Sequence, residues 1–367
     1  MKPIVLSQIR GHQLIRAALQ KLLANRKTGH AYLLEGPAGV GKTTLAWAFL
    51  GRLACPIAAP TDLDPCGTCR SCVAWQRGDH PDLQRLVRDG AGIKIEQVRQ
   101  AGARLHFDPV LGAIKGVLIE EADLLNEHAA NALLKTLEEP PSQTVFLLVT
   151  AHGQQLLDTI RSRCQVLRLH ELSEADVEAV LVDEGRPAQA AAIAAALALG
   201  SLHQARLLCD PRRLAMVEMV VQYICQLGTA NAADPQGFTD QLVVRLTAIR
   251  KPADDEDEYD EDEAPVARPA KKTGKDTLER DDLVEVLGIA RSCLRDAMVL
   301  SAGAAPHLLA HRTAAAGLQQ LAARAGALRL ATLLDRLDQL EAMQQFYPPP
   351  RQTWTTFLTE AHQLVLR

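Results

Sequence analysis

Two regimes of apolar patterning divide the chain. In the first, short apolar runs alternate with helical periodicity: Ala31-Tyr32-Leu33-Leu34-Glu35, then Gly116-Val117-Leu118-Ile119, then Thr144 to Val149, then Gln165 to Leu169. Each run has the length of a strand, and the branched residues of the third suit burial on both faces. Between the runs lie a helical stretch from Thr43 and another from Glu127 to Glu138, which Pro140-Pro141 stops. Strands alternating with helices predict a parallel α/β sheet covered on both faces.

After His170 only helical periodicity remains. Ser173-Glu174-Ala175-Asp176 reads as a capping box with Asp in place of Glu or Gln; Gly200-Ser201 then breaks the helical group, and Asp210-Pro211 opens another. The predicted divisions are an α/β nucleotide-binding domain over 1–170, a small helical domain over 171–209 and an all-α domain over 210–367. From Lys251 to Asp276 the sequence is acidic, then rich in Pro, Ala and Lys, which predicts a disordered insertion at about 251–276.

Composition adds two constraints. A chain of 367 residues, 47% hydrophobic and 23% charged, is a globular chain of two or three domains, and scarce aromatics favour helices over sheet-rich folds. No run approaches the ~20 apolar residues that cross a bilayer. Met1-Lys2-Pro3-Ile4-Val5 leads into a polar segment, so a cytoplasmic chain without membrane contact is expected. The net charge of −4 hides an asymmetry, because nine of the ten residues from Asp254 to Glu263 are acidic. Without them the remainder carries +5, compatible with phosphate contacts. A solvated linker is the default reading of the acidic run itself.

Candidate chemistry begins at Gly36-Pro37-Ala38-Gly39-Val40-Gly41-Lys42-Thr43, with Thr44 following, which fits the phosphate loop G-x-x-x-x-G-K-S/T between a strand and a helix. Glycines let backbone N–H groups close around phosphates, Lys42 brings charge to the outer ones, and the Thr43 hydroxyl suits Mg²⁺. ATP or ADP with Mg²⁺ is the expected ligand. In Leu118-Ile119-Glu120-Glu121-Ala122-Asp123 a strand ends in acids. Glu120 takes the metal-side position, where Asp is usual, and Glu121 the water-activating one. Its extra methylene changes the reach to a small, geometrically strict ion, so binding is better supported than turnover. Thr150, at the end of the third run, either orients the attacking water or satisfies a strand end.

Four of the eight cysteines cluster as Cys55-x10-Cys66-x2-Cys69-x2-Cys72. Without a secretion signal such spacing reads as a metal site before a disulfide set, and four thiolates close a tetrahedral structural Zn²⁺. An iron–sulfur cluster and free thiols are the competing readings. Arg161-Ser162-Arg163-Cys164 precedes the fourth run, and its arginines alone read as a solvated loop. Lys94 and Arg99 open a helix that either touches a nucleic-acid backbone or is a solvated face.

The phosphate loop, the cysteines directly after its helix, Asn131-Ala132-Leu133-Leu134-Lys135-Thr136-Leu137-Glu138-Glu139-Pro140 and Ser162-Arg163-Cys164 stand in the order found in bacterial clamp loaders of DNA polymerase III. Over residues 5 to 210 the chain resembles that family. With Glu120-Glu121 in place of Asp-Glu, and Ala129-Ala130 before Asn131, it is similar to delta-prime rather than to the gamma/tau motor.

The resemblance implies an AAA+ P-loop domain with a zinc nodule at 55–72, a helical lid domain and an all-α collar domain. It implies that Arg163 acts as an arginine finger on the ATP of a neighbouring subunit, and that zinc occupies the nodule. It further implies gamma/tau and delta as partners, with a sliding clamp and primed DNA contacted at its phosphates. The family's active members carry an arginine where this chain has His203, which, with Glu120, argues against strong hydrolysis by the chain itself.

Overall fold

A computed structural model describes residues 3–366 apart from 26–27, 91, 230–231, 233, 251–277, 306–307 and 344–348. The acidic run and the predicted insertion around it lie outside the described residues.

The chain divides into two units, Met1–Arg206 and Leu207–Arg367. In the first, α1 (Gln13–Ala24) leads to β1 (Ala31–Glu35), α2 (Lys42–Ala54), α3 (Arg70–Arg77), β2 (Leu83–Leu86) and α4 (Ile95–Arg104). Then follow β3 (Lys115–Ile119), α5 (Glu127–Glu138), β4 (Thr144–Thr150), α6 (Asp158–Arg161) and β5 (Gln165–Arg168). The strands form one parallel sheet in the order β2-β3-β4-β1-β5.

Strand alternation splits the core into two layers. Tyr32, Leu34, Leu118, Leu147 and Val149 pack with Leu19 of α1 and Leu45 and Phe49 of α2. Ala31, Leu33, Val117, Ile119, Phe146 and Leu148 pack on the other face with Val98 of α4, Leu133 and Leu137 of α5 and Ile160 of α6. Burial on both faces is why these strands read as unbroken apolar runs.

The sheet has a fifth strand that the apolar runs do not announce. β2 is Leu83-Gln84-Arg85-Leu86, with Leu83 buried in one core layer, Leu86 in the other and two polar residues between them, on the sheet edge beside β3. Four residues in that pattern are too short to separate from a loop. At the sheet edge each face of the strand is only partly covered, so it can carry polar residues that a central strand cannot.

Beyond the sheet, α7 (Glu174–Asp183), α8 (Ala188–Leu197) and α9 (Leu202–Leu208) are all helical, as predicted. The Ser173 hydroxyl caps α7 by accepting the Asp176 N–H at 3.1 Å and donates to the Asp176 carboxylate at 2.7 Å. Gly200, at φ +82°, makes the turn into α9, and any side chain there would strike Leu172 and Glu171. The second unit holds α10 (Pro211–Cys225), α11 (Pro235–Arg250), α12 (Arg280–Ser301), α13 (Ala315–Met343) and α14 (Pro350–Leu366). Asp210 caps α10 with Pro211 in its first turn, and α13 breaks at Gly326. Leu283, Leu287, Leu294, Leu318, Leu333 and Phe357 are buried, and no described residue of this unit lies in a strand. Among the described residues no helix is long and apolar enough to cross a membrane.

Candidate functional site

The phosphate loop leaves the C-terminal end of β1, the place where an open parallel sheet presents its ligands. A Cβ on Gly36 would stand 2.2 Å from the Leu169 carbonyl oxygen, so the loop can leave the sheet there only without a side chain. A Cβ on Gly39, at φ +79°, would likewise stand 2.1 Å from the Ser201 hydroxyl oxygen, and the Gly39 carbonyl accepts the His203 N–H at 3.3 Å. The loop is thus framed by the segment that opens α9. Pro37, Ala38, Val40 and Gly41 complete the turn into α2, with Lys42 and Thr43 in its first turn and Thr44 exposed beside them.

Lys42 is buried and donates to the carbonyls of Gly36 and Pro37, at 2.8 and 2.6 Å. Burial pushes its amine below the ordinary lysine range, and the Asp123 carboxylate pulls the other way. His12, in a left-handed conformation before α1, places its Nε2 2.9 Å from the Val40 carbonyl. Its position far upstream gave no signal of this contact.

The acids separate. Glu120 turns toward β2, where Arg85 donates to Oε1 at 2.9 and 2.5 Å, and the Arg85 guanidinium lies 5.4 Å over the Trp47 ring. Glu121, at φ +48°, pairs with Arg88 at 3.4 Å. Asp123 instead accepts the hydroxyl of Thr150, a buried residue whose oxygen also accepts the His152 N–H at 2.9 Å. Thr150 lies in register with Glu35, the residue before Gly36.

Arg163 follows α6 and is half-exposed; it donates to Glu138 at 2.5 Å and to the Thr159 carbonyl at 2.9 Å. Arg161 points elsewhere, reaching Glu35 at 3.0 Å from one side while Arg168 reaches it at 2.9 Å. His203 is exposed, and Arg206 pairs with Glu184 at 2.5 Å. Lys94 stands at the N-cap of α4, its N–H donating to Gln97 Oε1 at 2.9 Å, and its amine pairs with Asp89 at 2.5 Å.

The cysteines converge between α2 and α3. The sulfurs of Cys55, Cys66, Cys69 and Cys72 all lie within 4.8 Å of one another, with 4.0 Å between Cys55 and Cys69 and 3.7 Å between Cys66 and Cys72. Four sulfurs at ~2.3 Å from one tetrahedral ion stand about 3.8 Å apart, so the set fits a single Zn²⁺. Cysteines of an iron–sulfur cluster bind separate irons and stand further apart. Burial raises the Cys66 thiol, but N–H donors of Thr68 and Cys69 outweigh it and bring it to about 6; burial drives Cys69 and Cys72 up. A cation among the four would relieve that conflict. The nodule is tied to the end of α2 and to the segment before β2 through Ser71, whose hydroxyl donates to the Ala54 carbonyl at 3.0 Å and sits 2.9 Å from His80 Nε2.

The family described as "DNA polymerase III, delta subunit" matches residues 11–173. The tau/gamma subunit of DNA polymerase III from Haemophilus influenzae is 36% identical over 216 residues, 57% of this chain and 31% of that protein. The delta' subunit of Pseudomonas aeruginosa is 41% identical over 151 residues, covering 41% of this chain and 45% of its own length. The Escherichia coli delta' subunit is 38% identical over 170 residues, 45% and 49% of the two chains. The chain therefore spans about a third to a half of the length of these relatives. With an unbroken phosphate loop after the fourth strand in sheet order, and helices covering both faces, the chain is similar, through residues 11–173, to the delta' and gamma/tau clamp-loader subunits of DNA polymerase III.

Proposed function

We propose that the chain is a delta-prime-type clamp-loader subunit that binds ATP or ADP with Mg²⁺ and supplies Arg163 to the nucleotide of a neighbouring gamma/tau-type subunit. The observation that carries this reading is the position of Arg163. Its side chain is 35% exposed, on the segment between α6 and β5, where a second subunit can reach it. A guanidinium brought to a transferring phosphoryl group offsets the charge that develops there.

In the chain's own site, support for nucleotide binding comes from the N–H-lined loop Gly36 to Thr43, the Lys42 amine and the Thr43 and Thr44 hydroxyls. Mg²⁺, when bound, neutralises phosphate charge. Glu120 is paired with Arg85 and Glu121 with Arg88, which supports weak turnover here, because a carboxylate engaged by a neighbouring guanidinium is not free to orient an attacking water. Thr150 would then position groups near the outer phosphate. The Cys55, Cys66, Cys69 and Cys72 nodule would hold structural Zn²⁺, and the residues after 210 would form the collar that joins the subunits. Together with gamma/tau and delta subunits such a protein would open a sliding clamp and place it on primed DNA.

A second reading, an autonomous gamma/tau-type ATPase, is favoured by the intact phosphate loop and by the tau/gamma relative. Two measurements separate them. The delta-prime reading expects the purified chain to co-purify with gamma/tau and delta and to show no Lys42-dependent turnover alone. Lys42-dependent multiple turnover by the isolated chain would establish the second reading.

A further inference from the structure

We propose that Asp123, rather than Glu120, is the carboxylate that meets nucleotide-bound Mg²⁺ in this chain. The inference rests on the nucleotide-binding reading above and deepens it.

The phosphate loop follows β1, whose neighbours are β4 and β5; β3 is one strand further away, and β2 lies at the edge beyond it. An acid at the end of β3 therefore has to lean across β4 to approach the loop. Glu120 and Glu121 lean the other way. Arg85 sits within β2 and takes Glu120 through two N–H bonds, while Arg88, just past β2, takes Glu121. The Arg85 guanidinium is itself placed over Trp47, which fixes the pair from the second side.

The chain then turns. A short 3-10 helix, Ala122–Leu124, swings Asp123 back over the end of β4, where its Oδ1 accepts the Thr150 hydroxyl. Thr150 is level with Glu35 on β1, so the carboxylate stands beside the start of the phosphate loop. Consistent with that placement, Asp123 is the acid whose charge supports the protonated Lys42 amine. The Thr150 bond uses one carboxylate oxygen and leaves the other to a ligand. Mg²⁺ is small, demands near-octahedral geometry and takes one or two carboxylates plus phosphate oxygens, so a short Asp at the loop suits it better than a Glu held on the far side.

The test is the Mg²⁺ dependence of nucleotide affinity, which needs no turnover. A fluorescent ATP analogue is titrated into the full-length chain in excess Mg²⁺ and in EDTA, for the wild type, Asp123→Asn and Glu120→Gln. Asp123→Asn keeps an oxygen for Thr150, and a circular-dichroism melt confirms folding. The wild type and Glu120→Gln should bind on the order of tenfold or more tighter with Mg²⁺, whereas Asp123→Asn should lose that preference and keep its affinity in EDTA. With Mn²⁺ replacing Mg²⁺, the electron paramagnetic resonance of the nucleotide complex should change in Asp123→Asn alone. A Mg²⁺ preference retained by Asp123→Asn, or lost in Glu120→Gln, overturns the assignment. Tighter binding of Asp123→Asn in both buffers also overturns it, because Asp123 would then be competing with phosphate for Lys42. A wild type that binds no nucleotide defeats the underlying reading instead.

Discussion

The Arg163 guanidinium reaches back 2.5 Å to the Glu138 carboxylate, so the arginine proposed to act on a neighbour rests against the last residue of α5. Both partners are substantially exposed, at 35% and 49%. Pairs of this kind contribute about 0.2–1 kcal/mol, little enough for a phosphate on an adjoining subunit to displace the carboxylate.

Glu138→Gln should therefore leave thermal stability within about 1 kcal/mol of the wild type and leave the ATPase of the assembled loader equal or raised. A melting curve and a loader ATPase assay check this. A fall in ATPase would show that Glu138 aims Arg163 rather than resting it.

The cysteine nodule should carry one zinc ion per chain by metal analysis, with no iron and no visible iron–sulfur absorbance. Cys69→Ser should lose the ion and lower the melting temperature of the first unit, since binding energy at a structural site is folding energy. Retention of metal by Cys69→Ser would remove that residue from the ligand set.

Asp82 is a buried carboxylate that accepts three N–H bonds at 2.7 Å, from Val110, Leu111 and Gly112, and so pins the loop between α4 and β3. Burial raises its pKa, but the three donors outweigh burial and hold it below the ordinary Asp range. A depressed folded pKa means stability that is present above the unfolded value, about 3.9, and is lost as pH falls through the folded one. Asp82→Asn should cost about 2–3 kcal/mol near neutral pH, with the gap to the wild type narrowing below about pH 4. Urea unfolding across that range measures it, and a gap independent of pH would contradict the account.

Much of this fold is legible in the sequence. The runs at 31–35 and 144–149 became β1 and β4, and the helix expected from Glu127 to Glu138 has those bounds. Periodicity records burial, and these elements are buried on fixed faces. What stayed hidden follows from one short strand. Leu83-Gln84-Arg85-Leu86 is too brief to register as a strand, yet it supplies the Arg85 that draws Glu120 aside. Spacing alone placed Glu120 at the metal-side position, because order along the chain does not reveal which way a side chain turns once the strand ends. His12 stayed silent for a related reason: a single ring contact to Val40 leaves no periodic trace. The cysteines were readable because a metal site needs several ligands close in space, and three of these are also close in sequence.

The central claim is that this chain completes a neighbour's site, and Arg163→Ala tests it most directly. The loader is reconstituted with gamma/tau and delta subunits, its assembly verified by gel filtration, and its ATPase measured with primed DNA and clamp. The account predicts intact assembly with DNA-stimulated ATPase lowered about tenfold or more. An assembled loader that hydrolyses ATP at the wild-type rate would contradict it.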